Sequence, residues 1–275
     1  MNLRSYIFFV LIVLGINVGL VHAQSEADSI PASDIVESSV SVSVNESEAE
    51  AAYRQNSFAE SIKLYESEIG KNKQIKKESP ELYYNLGNAY FRDNQIAKAI
   101  LNYERALLLD PGDSDIRHNL RFAKTRIEDK IDSADSFFVN QWIRSIQNLY
   151  TANRWAMIGI VLFLILIIAV GSYVISTQIT VRKISFYSGI VLLALVIIAN
   201  AFAFKQKNKI VNRSTGIVMS ASVSIHTSPD AHSQELFRLH EGSKVRIKRE
   251  EGNWFEIVIA NGSVGWLQKK NIEKI

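Results

Sequence analysis

Two uninterrupted apolar runs organise the hydrophobic pattern of the chain, Ala156 to Ile175 and Phe186 to Phe204. Neither contains Asp, Glu, Lys, Arg or His. Each is about 20 residues, and at about 1.5 Å per residue such a helix spans roughly 30 Å of hydrocarbon. In that medium a helix satisfies its own backbone hydrogen bonds and an open strand does not. A hairpin buried in a soluble core would need two helices apolar on every face over this length, which is rare. The pattern predicts transmembrane helices over 156–175 and 186–204, joined by a loop, 176–185, that carries Arg182 and Lys183. Such a hairpin leaves everything before it and everything after it on one side of the membrane.

Residues 1–23 read as a secretory signal peptide: Arg4, then an apolar stretch from Tyr6 to Leu20, then the small-residue cleavage pattern Val21-His22-Ala23. The other reading is an uncleaved anchor helix. Both place the next segment outside the cytoplasm. Residues 24–45 are rich in Ser, Asp, Glu and Val without an aromatic residue, the composition of a disordered linker.

The pattern becomes helical from 46 to 132. In Pro80–Pro111, Tyr83, Leu86 and Tyr90 share one face of a first helix, and Gly87 admits a close neighbour. Asn94-Gln95 makes a turn. Ala99, Tyr103 and Ala106 line a second helix, which Pro111 stops. This segment resembles a tetratricopeptide repeat in its Leu-Gly pair, its Ala–Tyr–Ala spacing and its terminal Pro. A weaker copy runs through Ala49, Ala52-Tyr53, Asn56, Phe58, Ser61, Tyr65 and Glu68. Ser114 to Ile131 follows as a capping helix, with Leu120, Ala123 and Ile127 on its buried face. The resemblance implies a peptide-binding concave face, whose candidates are Tyr84, Asn85, Asn88, Phe91 and Arg92, with Asp115 and Asn119 from the cap. A purely solvated face is the other reading of these residues.

Residues 133–155 hold Phe137, Phe138, Trp142, Ile146, Leu149 and Tyr150 at roughly helical spacing. An amphipathic helix on the membrane surface fits, with Trp142, Tyr150 and Trp155 at headgroup depth. A helix packed on the repeat array fits equally. After the hairpin, 205–215 is a basic linker with Lys205, Lys207, Lys209 and Arg213.

From 216 to 275 the period shortens to two. Strands are predicted over Thr215–Ser220, Ser222–Ile225, Lys244–Arg249, Trp254–Ile259 and Val264–Gln268. Asn261-Gly262 between alternating strands is a strong hairpin signal. The region resembles a bacterial SH3 domain through Val223–Asp230, Leu239 with Gly242, Val245 and Ile247, Trp254, Asn261-Gly262, and Gly265-Trp266-Leu267 before Ile272. It departs at His226-Thr227-Ser228-Pro229, where the family often has Arg-Ser-Gly-Pro. Trp254 and Trp266 serve either as core or rim residues or as ligand-stacking partners.

Composition narrows the chemistry. The 275-residue chain has no cysteine, which excludes disulfides, a thiol nucleophile and thiolate-bound zinc. The segment from Gln24 to Arg154 leans acidic and the segment after Phe204 leans basic. No basic patch interleaves with aromatics, so nucleic acid is not an expected partner. His22, His118, His226, His232 and His240 make no metal-ligand spacing, and there is no phosphate loop or nucleophile elbow. The chain is not expected to be an enzyme, and no catalytic residue, cofactor or metal is predicted.

The fold class expected is a multi-domain membrane protein: an all-α tetratricopeptide array, a two-helix transmembrane hairpin and a small all-β SH3-like barrel. The order of parts resembles the BatE-like family of Bacteroides aerotolerance proteins. That resemblance implies a scaffold for protein–protein interactions in a stress-tolerance complex, with von Willebrand A-domain membrane proteins and a MoxR-type ATPase as partners. The SH3 resemblance also allows peptidoglycan binding. The export signal places both soluble domains on the periplasmic side of the inner membrane and the loop 176–185 in the cytoplasm. The basic linker opposes that orientation, because cationic segments prefer the cytoplasm. The first inserted segment usually dominates.

Overall fold

A computed structural model describes residues 48–75, 77–131 and 138–275. The expected signal peptide and linker, and residues 132–137 of the juxtamembrane segment, lie outside the described residues.

Helices α1 (48–54), α2 (Phe58–Gln74), α3 (Pro80–Arg92), α4 (Ile96–Leu109) and α5 (Ser114–Lys124) form the array. Their boundaries follow from capping chemistry. The Ser79 hydroxyl accepts from the Leu82 amide with Pro80 at the first turn of α3. The Asp113 carboxylate accepts from the amides of Asp115 and Ile116 at the start of α5. Asn56 and Asn94 occupy matching turns, with φ of 60° and 61°. These left-handed positions suit Asn better than most residues. After each, an amide reaches back into the preceding helix, Ser57 to the Ala52 carbonyl and Gln95 to the Tyr90 carbonyl. The two helical pairs are thus built on the same turn, as the weaker sequence copy predicts. Small residues let the helices close. Ala49, Ala89, Ala99 and Ala106 are fully buried, and a Cβ on Gly87 would lie 2.7 Å from the Tyr103 ring.

Helix α6 (Phe138–Gln147) leads to α7 (Ala152–Ile175) and α8 (Ile179–Asn212). α7 and α8 pack antiparallel: Trp155 meets Phe202 at 5.0 Å between ring centroids, and Tyr173 meets Phe186 at 6.0 Å. Both are long and apolar enough to cross a membrane. Their outward faces stay bare, with Met157 66 % and Ile168 67 % exposed, which a soluble core helix would not allow. Helix replaces most of the expected loop. The connection narrows to Ser176–Gln178, and residues 179–185 already belong to α8. That helix, 34 residues and therefore about 51 Å long, also continues past Phe204 through the basic linker. No Gly or Pro lies between Lys205 and Asn212 to break it. It ends at Arg213, which has a φ of 34° and pairs with Glu78 of the array.

The C-terminal module is one antiparallel sheet of β1 (Thr215–Val218), β2 (Ser222–His226), β3 (Glu235–His240), β4 (Lys244–Glu251), β5 (Trp254–Val258), β6 (Val264–Gln268) and β7 (Ile272–Lys274). The spatial order is β3-β2-β6-β5-β4-β1-β7. The five strands expected are present within a residue or two at most ends. β3 and β7 were not foreseen. β3 carries Leu236 on one side and Phe237 and Leu239 on the core side, so its alternation is blurred. The sheet is not closed into the small barrel expected: β3 and β7 are its edges. β7 instead lies against the array, where Arg105 of α4 donates to the Glu273 carboxylate at 2.8 Å and to the Lys274 carbonyl at 2.9 Å.

The array and the sheet share a core. Ile217 and Ile275, both nearly fully buried, pack with the apolar interior of the array. Gly242, at φ +84°, approaches so closely that a Cβ there would sit 2.5 Å from Ile127 Cγ2.

Candidate interaction surfaces

The array face is built from α1, α3 and α5. Asn119 donates to the Tyr84 hydroxyl and to Asn88 Oδ1, each at 3.0 Å. Tyr103 donates to the same Asn88 oxygen at 2.8 Å. Tyr84, Asn88 and Asn119 are thus held in one network that fixes α3 against α5. Asn85 is half-buried on α3 and Asp115 is exposed at the start of α5. Phe91 stacks on Phe122 with centroids 5.5 Å apart, and the Arg126 guanidinium lies over both rings. Arg92 covers Phe58 at 4.8 Å and donates to the Asn56 side chain at 3.2 Å. The result is two guanidinium–aromatic clusters, one around Arg92 and one around Arg126.

Sequence reasoning included Phe91 and Arg92 but not Tyr53, Phe58, Phe122 or Arg126 as face residues. Phe122 is 50 % exposed. A large exposed aromatic on the polar side of a capping helix was the available signal for it.

On the sheet, Trp254 lines an open cleft of about 610 Å³ with Pro229, Asp230, Asn253, Gln268 and Lys269. Its ring meets His226 edge-on at 5.6 Å. Trp266 is placed differently. It is 6 % exposed, and the Arg249 guanidinium lies 5.0 Å over its ring. The structure therefore does not bring the two tryptophans to one cleft.

The seam between the modules is electrostatically tight. Burial alone would raise the Glu104 carboxyl. The attraction of Lys244 and Lys124, and the hydrogen bonds they donate, outweigh it and hold the group below its usual range. Asp129, in the turn after α5, accepts from the His240 amide at 2.7 Å, from His240 Nδ1 at 2.8 Å and from the Ser243 hydroxyl. The Asp129 hydrogen bond is the main cause that raises His240. Among the described residues no group of three or more His, Asp or Glu is placed to hold a metal.

The Tetratricopeptide repeat family matches residues 80–113, that is α3, α4 and the turn into α5. No curated protein matches the chain. Tetratricopeptide repeats are a non-catalytic interaction module, so the matched segment points to protein partners. The chain thus combines a helical repeat region, two helices able to cross a membrane by length and composition, and a C-terminal antiparallel sheet.

Proposed function

We propose that this protein is a membrane-anchored scaffold, with a tetratricopeptide face and an SH3-like sheet presented together at the cell envelope. The observation that carries the reading is the shared core of the two modules. Both leave the same end of the α7–α8 hairpin, Trp155 lying beside Phe202, and they are fused there through Ile217, Ile275, Glu104 and Lys244. Two interaction surfaces held rigidly on one base suit assembly of partners better than catalysis. The export signal sets the modules in the periplasm. The resemblance to BatE-like proteins supplies the partners: von Willebrand A-domain membrane proteins and a MoxR-type ATPase of an aerotolerance complex.

The test is crosslinking in cells followed by affinity purification of the full chain from detergent. Phe122→Ala with Arg126→Ala removes exposed contact area without touching the core. Loss of at least one envelope protein in that variant supports the scaffold. Equal recovery from both chains refutes a role for the array face. A second reading, a peptidoglycan sensor, is favoured by the Trp254 cleft, since an aromatic wall beside Asp230 and Lys269 suits a polar sugar–peptide ligand. It requires that the full chain sediment with purified wall and that Trp254→Ala abolish this.

A further inference from the structure

Between Ser136 and Pro229 the sequence contains no Asp or Glu, yet it carries eight Lys and Arg. Arg182 and Lys183 lie at the far end of the hairpin, and Arg213 is paired with Glu78. The other five are Arg144, Arg154, Lys205, Lys207 and Lys209. Among the described residues none of the five has a carboxylate partner.

The fold brings Lys205, Lys209 and Arg144 together. The end of α6 is clamped to α8 just past its apolar run. Gln147 donates to the Gln206 side chain at 3.2 Å, the Trp155 indole donates to the Gln147 carbonyl at 2.9 Å, and Lys209 donates to the Asn148 side chain at 3.4 Å. Because α8 stays helical through Asn212, Lys205 and Lys209 stand one turn apart on the same face. Arg144 joins them from α6. Lys244 of β4 also faces the Lys209 ammonium. Like charges held together by a rigid clamp, with no carboxylate partner among the described residues, call for an anion from outside. Their position names it: they begin directly after Phe204, and the segment clamped there carries the exposed rings of Trp142 and Tyr150, where an embedded hairpin meets the headgroup layer.

We propose that this collar is a binding surface for the phosphate headgroups of anionic phospholipids in the leaflet on the array side. It rests on the membrane reading of the hairpin and on no partner of the array. The phosphodiesters supply the missing charge.

The test uses the full chain in neutral detergent, titrated with phosphatidylglycerol or phosphatidylcholine and read by native mass spectrometry. Phosphatidylglycerol is retained preferentially, and the combined change Lys205→Gln, Lys207→Gln and Lys209→Gln lowers that preference about tenfold or more. Arg182→Gln with Lys183→Gln, at the opposite end, leaves it unchanged. Equal retention of both lipids, or equal effects of the two variants, overturns the proposal. So does displacement of the lipid by an equimolar amount of inorganic phosphate. If the triple variant does not fold, the salt dependence of the wild type decides: a preference unchanged between about 0.05 and 0.5 M salt overturns it. Release of the chain from membranes by alkaline carbonate would refute the membrane reading itself, a result separate from loss of lipid preference.

Discussion

The Glu104 carboxylate of α4, only 5 % exposed, accepts from the Lys244 ammonium of β4 at 2.6 Å. Lys124 of α5 reaches its other oxygen at 2.8 Å. One buried charge thus ties the array, its cap and the sheet. Glu104→Gln leaves two ammonium groups facing a neutral amide at the seam. Breaking a buried pair by removing one partner costs 3–5 kcal/mol in general, and the partial exposure of both lysines puts this case near the low end, at about 3 kcal/mol. Lys244→Met keeps the Lys124 contact and loses one charged hydrogen bond, about 1.5 kcal/mol. The urea midpoint of the detergent-solubilised chain, followed by tryptophan emission, should fall further for Glu104→Gln than for Lys244→Met. The reverse order would mean that the seam is not organised around this carboxylate.

Gly242 and Gly252 separate two costs of adding a Cβ. Both have positive φ, +84° and +52°, but only Gly242 faces packed atoms, Ile127 Cγ2 at 2.5 Å and Ile100 Cδ1 at 3.2 Å. Gly252→Ala should lose about 1 kcal/mol through backbone conformation alone. Gly242→Ala adds overpacking between the modules, for a total of about 3 kcal/mol. Equal midpoints for the two variants would show that the sheet does not dock on α4 and the turn after α5 as described.

The repeat was legible because its helix boundaries have local causes at Pro80, Asn94 and Asp113, and because Gly87 announces the close approach of Tyr103. The apolar hairpin was legible from length alone. Its connection was not, since residues 179–185 are polar enough to read as a loop yet contain nothing that stops a helix. The seam was invisible. Ile217 and Ile275 read as ordinary strand residues, and nothing local to Glu104 says that its partner lies 140 positions away. The open sheet has the same origin: β7 finds α4 through Arg105, a contact that no sequence period encodes.

The Asp129–His240 latch should make the seam sensitive to pH. His240 is raised from 6.5 by its hydrogen bond to Asp129, and Glu128 adds to this while Arg238 opposes it. Its contribution is therefore fully present below 6.5 and is lost as pH rises through the folded value. Burial would raise Asp129, but the His240 amide, the His240 ring and Ser243 together lower it from 3.8. Its contribution is present above 3.8 and is lost as pH falls through the folded value. Both act together between about pH 4 and 6.5. The Tm difference between wild type and His240→Gln should be larger near about pH 5.5 than near about pH 8.5. A difference independent of pH would show that the imidazole charge plays no part.

The orientation of the hairpin sets two charge arguments against each other. The export signal expected at 1–23 would put the array and the sheet outside the cytoplasm, whereas Lys205, Lys207 and Lys209 would favour the inside over the smaller pair Arg182 and Lys183. The absence of cysteine makes the question simple, because any introduced thiol is unique. Lys63 on α2, Thr177 in the connection and Asp230 on the sheet are all exposed. In intact cells an impermeant maleimide should label Lys63→Cys and Asp230→Cys, and should reach Thr177→Cys only after permeabilisation. Labelling of Thr177→Cys alone would keep the hairpin and invert it, giving the basic collar priority over the signal. Labelling that separates Lys63→Cys from Asp230→Cys would contradict the hairpin itself, because Trp155 and Phe202 then could not share one end of it.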